Sequence, residues 1–244
     1  MLERVMPILL LTVACRSADE STTTDPIHGG RIDRIHEAVG EVGHLEGDEV
    51  GFHCSGTLIG PSTVLTAAHC LFLDGRRLYA RSLFFAVGGV LHGVSRSSVD
   101  RDFDPSRESA WEDAALLRLD EPSEVGAIPV SIDPPLEGVE AQVIGFGVTR
   151  ASAPGEGSGG GRRRRARITL DTVTEREIAY DASHAGACYG DSGGPIVQND
   201  AVVGITSRGT ADDCRGVDIA QRADVLAAWV GSTSHGDACI GWCE

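Results

Sequence analysis

One serine of this chain stands in a setting that favours nucleophilic chemistry. Ser192 lies in residues 188–195 (CYGDSGGP), a segment too rich in glycine for an ordinary helix or strand. A glycine two residues before a serine lets the backbone bend tightly, so neighbouring N–H groups can converge on one point. A hydroxyl is unreactive without a base. The chain offers a histidine in residues 66–70 (TAAHC) and an acid in residues 113–117 (DAALL).

In the order His, Asp, Ser, these three segments resemble the chymotrypsin–trypsin family of serine endopeptidases, as a bacterial exported member. The likeness runs from about Ile27 to Trp229. It includes residues 54–59 (CSGTLI) before the histidine and residues 145–147 (GFG) before the serine. A lone histidine or aspartate is weak evidence for catalysis, but matching flanks around all three favour it.

The resemblance implies a chemistry for each of these residues. His69 would take the proton of Ser192 as it attacks a peptide carbonyl, and Asp113 would orient the imidazole and stabilise its charged form. The N–H groups of Gly190 and Ser192 would form the oxyanion hole. The expected reaction is peptide hydrolysis through an acyl-enzyme intermediate, on a protein or peptide substrate, with no cofactor and no metal ion.

Short β-prone runs separated by Gly, Pro and Asp turns predict an all-β fold. The resemblance implies two six-stranded antiparallel barrels over residues 27–231, joined near residue 130, with the active site in the cleft between them. One helix is expected over residues 223–231, with Val225, Leu226 and Trp229 on one face. Residues 232–244 are expected to form a polar tail.

The composition excludes one class of partner. The formal net charge of −15 argues against binding a phosphate backbone, so no nucleic acid is expected. The run of four arginines at residues 162–165 is therefore interpreted as a solvated loop. Forty-one per cent hydrophobic residues in 244 are enough for a sizeable core, and we expect a monomer.

The first residues predict export. Residues 1–14 contain an apolar run from Val5 to Ala14, too short to span a bilayer and typical of a signal peptide. Residues 15–26 read as a spacer or propeptide. Cys15 follows a segment similar to a bacterial lipoprotein cleavage box, so the protein is expected to be secreted or anchored outside the membrane through a lipid on Cys15.

The cysteines support export as well. Seven cysteines are an odd number for a secreted protein, but without Cys15 six remain. By the resemblance, one pair ties down the loop of His69 and a second braces the substrate pocket. The last pair is left over, and two thiols without further ligands make a poor zinc site. The expected disulfides are Cys54–Cys70, Cys188–Cys214 and Cys239–Cys243.

Two residues bear on the specificity of the substrate pocket. At the pocket floor, where trypsins carry aspartate, this chain has Gly186, and an uncharged floor favours apolar side chains. Alignment backward from Trp229 puts Asp218 in the pocket wall, where a carboxylate would bind Arg or Lys. Alignment from Cys214 makes Gly216 the wall residue and moves Asp218 outside. The first alignment is favoured, with a preference for basic residues.

The segment Ser207-Arg208-Gly209 is expected to offer its backbone to the substrate as an added strand. Arg208 replaces a tryptophan usual in the family and could attract acidic residues.

Activation is expected at Ile27. The residues from Ile27 (IHGG) resemble the mature N-terminus of the family, whose ammonium group pairs with the acid before the serine, here Asp191. Pro26 stands where a basic residue is usual, so the hypothesis is a zymogen whose activating protease is not trypsin-like.

Two rival functions remain. One is a non-catalytic protease homologue that acts as a binding module. The other is an esterase of unrelated fold, because residues 190–194 also match G-x-S-x-G, with Ser192, Asp213 and His235 as its triad. That fold needs a strand before the serine and a helix after it, and Pro195 opposes the helix.

Overall fold

The computed structural model describes residues 27, 29–106, 112–153 and 156–243. Strands dominate these residues, as the sequence predicts, and one α-helix lies near the C-terminus. The N-terminal strands are β1 (Arg31–Ile32), β2 (Val39–Glu46), β3 (Glu49–Leu58), β4 (Thr63–Thr66), β5 (Phe72–Leu73), β6 (Arg76–Arg77), β7 (Leu83–Val87), β8 (Val90–Val99) and β9 (Ala115–Leu119).

The C-terminal half carries nine further strands and the helix. The strands are β10 (Glu140–Gly145), β11 (Arg150–Ala153), β12 (Glu156–Ser158), β13 (Arg164–Thr169), β14 (Thr172–Val173), β15 (Glu177–Asp181), β16 (Pro195–Gln198), β17 (Ala201–Gly209) and β18 (Val217–Arg222). The helix α1 spans Ala227–Ser234, and short 3-10 turns lie at His69–Leu71, Ala80–Ser82 and Asp224–Leu226.

The first half forms a closed antiparallel barrel in the order β2-β3-β4-β9-β8-β7. The period-two pattern of its strands explains the closure. In β7, Leu83, Phe85 and Val87 are buried and point inward, while the residues between them are partly exposed. The predicted six-stranded barrel is confirmed here.

The second half is a sheet in the order β1-β13-β10-β16-β17-β18-β15-β14. Its six inner strands curl until β13 and β15 lie within 8 Å of each other between Cα atoms. The short strands β1 and β14 hydrogen-bond to the outer edges of β13 and β15, so this second barrel is curled rather than closed by hydrogen bonds. The prediction of a two-barrel, trypsin-like fold with one C-terminal helix is confirmed.

The helix begins later than the sequence suggests, at Ala227 instead of residue 223. Residues 224–226 form a 3-10 turn, which changes the phase of the side chains. Val225 is therefore 45% exposed, whereas Leu226 and Val230 are buried and Trp229 packs partly against the first core. The prediction that Val225 lies on the apolar face of the helix was therefore wrong.

The segment joining the two barrels is covered by the C-terminal tail. Val130 forms single bridges with Val202 of β17 and with Ile240 of the tail. The amide of Cys239 donates to the carbonyl of Ile59 at 2.6 Å, so the tail also touches the first barrel. Residues 237–243 thus dock along the junction near residue 130.

The arginine run is not the solvated loop that the sequence suggests. Its last two residues begin β13, and Arg164 is buried. Arg163 and Arg165 flank the buried carboxylate of Asp33, with N–O distances of 3.2 and 3.6 Å. A buried carboxylate requires cationic or hydrogen-bonding partners, and these arginines tie the first residues of the domain to the second sheet.

Candidate active site

The described residues form three disulfides that match the predicted pairs, and two of them hold segments that carry candidate residues. The first bond closes the loop that carries His69, and the second closes the loop that carries Ser192. The pairs are Cys54–Cys70, Cys188–Cys214 and Cys239–Cys243, with Cα separations of 6.1, 5.2 and 4.9 Å.

His69 and Asp113 are hydrogen-bonded twice. Nδ1 of His69 lies 2.7 Å from Oδ2 of Asp113, and the amide N–H of His69 donates to Oδ1 at 2.9 Å. His69 opens a 3-10 turn after β4, and Asp113 lies two residues before β9, the strand paired with β4. The register of these two strands therefore places both side chains at the same edge of the barrel.

The surroundings of this pair shift the pKa of His69 and the pKa of Asp113 in opposite directions. Burial opposes protonation of the imidazole, but the charge and the hydrogen bond of Asp113 outweigh it and raise the pKa of His69. Burial also works against the carboxylate of Asp113, yet its hydrogen bonds and the nearby imidazole lower its pKa. Because Asp113 holds Nδ1, Nε2 of His69 is left to accept a proton.

Ser207 has a role that sequence reasoning missed. Its hydroxyl donates to Oδ2 of Asp113 at 2.6 Å, within the buried part of the site. From the sequence, only the backbone of Ser207 was expected to take part. No local signal links residues 113 and 207, because they belong to different barrels.

Ser192 lines a cavity of about 400 Å³ together with His69, Ser207 and Asp218. Among the described residues, its hydroxyl makes no hydrogen bond, including with His69. Hydrogen bonds of catalytic groups are often long in unliganded enzymes and shorten when a substrate binds.

The two candidate oxyanion donors are available. Within the described part of the chain, the N–H groups of Gly190 and Ser192 donate to no protein acceptor, although the flanking amides of Asp191 and Gly193 do. Gly190 has φ of 96°, a conformation that favours glycine. The backbone therefore bends here in the manner expected from the glycines around Ser192.

Asp218 lines the same cavity and is only 4% exposed. Its Oδ2 accepts the amide N–H of Ala187 at 2.7 Å, and it lies against Gly186. Burial raises the pKa of Asp218 to about 6, although the Ala187 amide and the phenol of Tyr180 oppose the shift. Of the two alignments, the geometry fits the one that puts Asp218 in the pocket wall.

The predicted substrate strand lies at the end of β17. The pairing of β17 with β18 is shifted between Thr206 and Arg208, so Ser207 occupies a bulge. The guanidinium of Arg208 donates to Glu177 at 2.7 Å and is partly neutralised by it. This ion pair weakens the expectation that Arg208 attracts acidic residues.

Asp191 is fully buried behind Ser192. Its two carboxylate oxygens accept the amide N–H groups of Gly147 and Cys188 at 2.8 and 2.9 Å. Burial outweighs these bonds and raises the pKa of Asp191 to about 7. The side chain of Ile27 is also fully buried, in the core of the second sheet.

The residues of the esterase hypothesis are not brought together. His235 lies beside Arg96 and lines a different cavity from that of Ser192. Asp213 is exposed and accepts the amide of Arg215.

Two β-barrels, with Ser192 and the Asp113-bonded His69 beside one cavity, are the architecture of chymotrypsin-fold hydrolases. The family model described as Trypsin matches residues 34–230, and the chain belongs to this family of serine-type endopeptidases. Peptide bonds of proteins are therefore its substrates.

Curated relatives support the same family. The chain is 29% identical over 181 residues to Hypodermin-A of Hypoderma lineatum, covering 66% of this chain and 69% of the relative. It is 29% identical over 230 residues to Trypsin iota of Drosophila melanogaster, covering 86% of this chain and 89% of the relative.

Solved structures support the fold. Neuropsin, a serine protease expressed in the limbic system of mouse brain, is similar with a TM-score of 0.70 at 21% identity, covering 84% of this chain and 98% of neuropsin. Human heparin binding protein gives a TM-score of 0.72 at 20% identity, with 87% and 98% covered.

Three disulfides in one domain are typical of proteins of oxidising, extracellular compartments. The predicted signal peptide, propeptide and lipidated Cys15 lie outside the described residues. In the part that is described, no helix is both long and apolar enough to cross a bilayer.

Proposed function

We propose that this protein cleaves peptide bonds on the carboxyl side of Arg or Lys, with Ser192 as nucleophile, His69 as general base and Asp113 as its orienting acid. One observation carries the proposal: a single cavity is lined by Ser192, by an Asp113-bonded His69 and by the buried carboxylate of Asp218. The cavity thus combines a nucleophile, its base and a charge complementary to a basic side chain.

Each proton has a place in this mechanism. Asp113 accepts the Nδ1 proton of His69, so Nε2 removes the proton of Ser192 as its oxygen attacks the carbonyl. The N–H groups of Gly190 and Ser192 donate hydrogen bonds to the negatively charged oxygen of the tetrahedral intermediate. His69 then protonates the leaving amine. Water next attacks the acyl-enzyme while His69 accepts its proton, and His69 returns that proton to Ser192 as the acid product leaves.

Substrate binding follows from the walls of the cavity. The backbone of Ser207, Arg208 and Gly209 pairs with the substrate as an added strand, because β16 pairs with β17 only as far as Ile205 and leaves this edge to the substrate. The basic side chain of the substrate reaches Asp218, whose carboxylate lines the cavity and packs against Gly186.

Labelling and cleavage profiling test the proposal. A peptidyl phosphonate should modify Ser192 in the mature protein, and Ser192→Ala should abolish both labelling and peptide hydrolysis. A peptide library should show cleavage after Arg and Lys. Cleavage after aromatic or aliphatic residues would favour the chymotrypsin-like alternative. The absence of both labelling and cleavage would favour a non-catalytic homologue that acts as a binding module.

Activation by cleavage before Ile27 is part of the same proposal. The fully buried carboxylate of Asp191 has its pKa raised to about 7 although the charge of Arg164 opposes the shift, and a new ammonium group at Ile27 would supply a further positive charge. Pro26 precedes this bond, so the activating protease is not trypsin-like. N-terminal sequencing of active protein should begin at Ile27, whereas full activity with residues 15–26 attached would contradict the zymogen hypothesis.

Export as a monomeric bacterial lipoprotein completes the proposal. The apolar run before Cys15 supports it. Metabolic labelling with a palmitate analogue should mark the wild type and not Cys15→Ser. Labelling of the Cys15→Ser variant, or no labelling of the wild type, would contradict lipidation of Cys15 and favour ordinary secretion.

A further inference from the structure

We propose that Ser55 is a positioning residue for the oxyanion hole, which it holds through its hydroxyl group. This inference rests on the proposed function, because it concerns the N–H groups of Gly190 and Ser192. Ser55 lies on β3 of the first barrel, next to the disulfide-bonded Cys54, and is fully buried.

The hydroxyl of Ser55 joins two segments of the second barrel. It donates to the carbonyl of Gly190 at 2.8 Å and accepts the amide N–H of Phe146 at 3.0 Å. A hydroxyl has one donor and two acceptor sites, so both bonds can form at once. Neither bond is available to a residue without a hydroxyl at this position.

A third contact makes Ser55 central to the nucleophile segment. Its backbone N–H donates to the carbonyl of Ser192 at 2.8 Å. Any amino acid except proline can make this backbone bond, so it aligns β3 with the segment whatever the side chain. The hydroxyl adds the bond to Gly190, and Ser55 thereby touches both residues that supply oxyanion donors.

The bond matters because Gly190 is a glycine. Its φ of 96° lies where the backbone has no β-carbon to restrict it, so the peptide groups on both sides can rotate at low cost. The N–H of Gly190 stabilises the oxyanion only when it points into the cavity. The carbonyl of Gly190 lies in the peptide group that follows its Cα, so fixing it restricts ψ of Gly190 and, through the shared Cα, limits the directions that the N–H can take.

Asp191 holds the same loop from the other side. It binds the amides of Gly147 and Cys188, while Ser55 binds the amide of Phe146 and the carbonyl of Gly190. Asp191 and Ser55 therefore each bind both the loop at Gly190 and the neighbouring segment at residues 146–147. In this uncleaved chain the Ser55 contacts are already formed.

The test compares two variants on one strand, each of which removes a single hydroxyl group. Ser55→Ala removes the bridging hydroxyl. Thr57→Val is the matched control, because the hydroxyl of Thr57 is equally buried on β3 and has no hydrogen-bond partner among the described residues. Both variants lose one buried hydroxyl, so a difference between them reports the bridge.

Two ligands with the same peptide sequence separate positioning from folding. A peptidyl trifluoromethyl ketone forms a tetrahedral adduct that carries an oxyanion, whereas the corresponding peptide alcohol carries none. In Ser55→Ala, kcat and the affinity for the ketone should both fall, by about ten- to a hundredfold. KM and the affinity for the alcohol should stay within about twofold, and Thr57→Val should behave like the wild type.

The other outcomes are equally informative. Equal loss of affinity for both ligands, or failure to fold, would make Ser55 merely structural and overturn the inference. Unchanged kcat in Ser55→Ala would overturn it as well. An inactive wild type that resists the phosphonate would instead remove the proposed function on which the inference rests.

Discussion

The carboxylate of Asp218 and the glycine at position 186 form one structural unit. A β-carbon built on Gly186 would lie 2.6 Å from Oδ2 of Asp218, closer than nonbonded atoms approach. The carboxylate of Asp218 can therefore take this position only because residue 186 has no side chain. The pocket keeps an acid, but it comes from β18 and not from the loop before Ser192.

Neutralising Asp218 should remove the preference for basic residues. We expect Asp218→Asn to lower kcat/KM for an arginine substrate by roughly 30- to 1,000-fold, since a buried charge pair is worth about 2–4 kcal/mol. Substrates with an uncharged residue at the cleavage site should be affected little. Asp212→Asn is the matched control, because Asp212 lines the same cavity but is exposed. Equal losses in the two variants would contradict the role of Asp218.

The preference should also depend on pH. The pKa of Asp218 is raised to about 6, so the carboxyl group becomes neutral as the pH falls from 7 to 5. The ratio of kcat/KM for arginine and norleucine substrates should fall over this range. His69 affects both substrates alike and cancels in the ratio. A ratio that does not vary with pH, or one that varies equally in Asp218→Asn, would contradict the expectation.

Removing the hydroxyl of Ser207 should change the pH profile of the reaction. Its bond lowers the pKa of Asp113, and without it the carboxylate attracts the proton of His69 more strongly. In Ser207→Ala, the acidic limb of kcat/KM should move to higher pH, and kcat/KM at its plateau should fall about tenfold. Thr57→Val serves again as the control. An unshifted acidic limb would show that Ser207 does not tune His69.

The uncleaved chain should lose stability as the pH rises. A carboxyl group whose pKa is raised on folding stabilises the native state below its unfolded pKa near 4, and this stability is lost as the pH rises through its folded pKa. For Asp191 that window runs from about 4 to about 7. With complete burial, the loss can reach about 4 kcal/mol. Urea unfolding of Ser192→Ala from pH 5 to 8 measures the free energy of unfolding.

The cleaved chain provides the comparison. If an engineered site is cut immediately before Ile27, the new ammonium group should pair with Asp191 and reduce the loss of stability. Asp218 contributes a similar slope, because its pKa is also raised, but it does so in both forms. Identical pH dependence before and after the cut would exclude an ion pair between Ile27 and Asp191.

Sequence alone predicted the elements that depend on local pattern. The glycines around Ser192 and the flanks of His69 and Asp113 are each recognisable within a few residues, because tight turns restrict which residue types can stand there. The six cysteines that remain without Cys15 indicated disulfides, and the resemblance implied two of the three pairs and left the third. The short β-prone runs and turns likewise predicted an all-β fold, and the resemblance implied its two barrels. The resemblance then ordered these segments around one cleft.

Tertiary structure decided what depends on contacts between distant strands. The hydroxyls of Ser55 and Ser207 look ordinary in the sequence, and only the packing of one barrel on the other brings them to Gly190 and Asp113. The arginine run was misjudged for the same reason, since its partner Asp33 lies about 130 residues earlier in the chain. Local sequence determines which backbone turns can form, but the burial of a charge or a hydroxyl, and hence its chemistry, is set by partners that only the folded chain supplies.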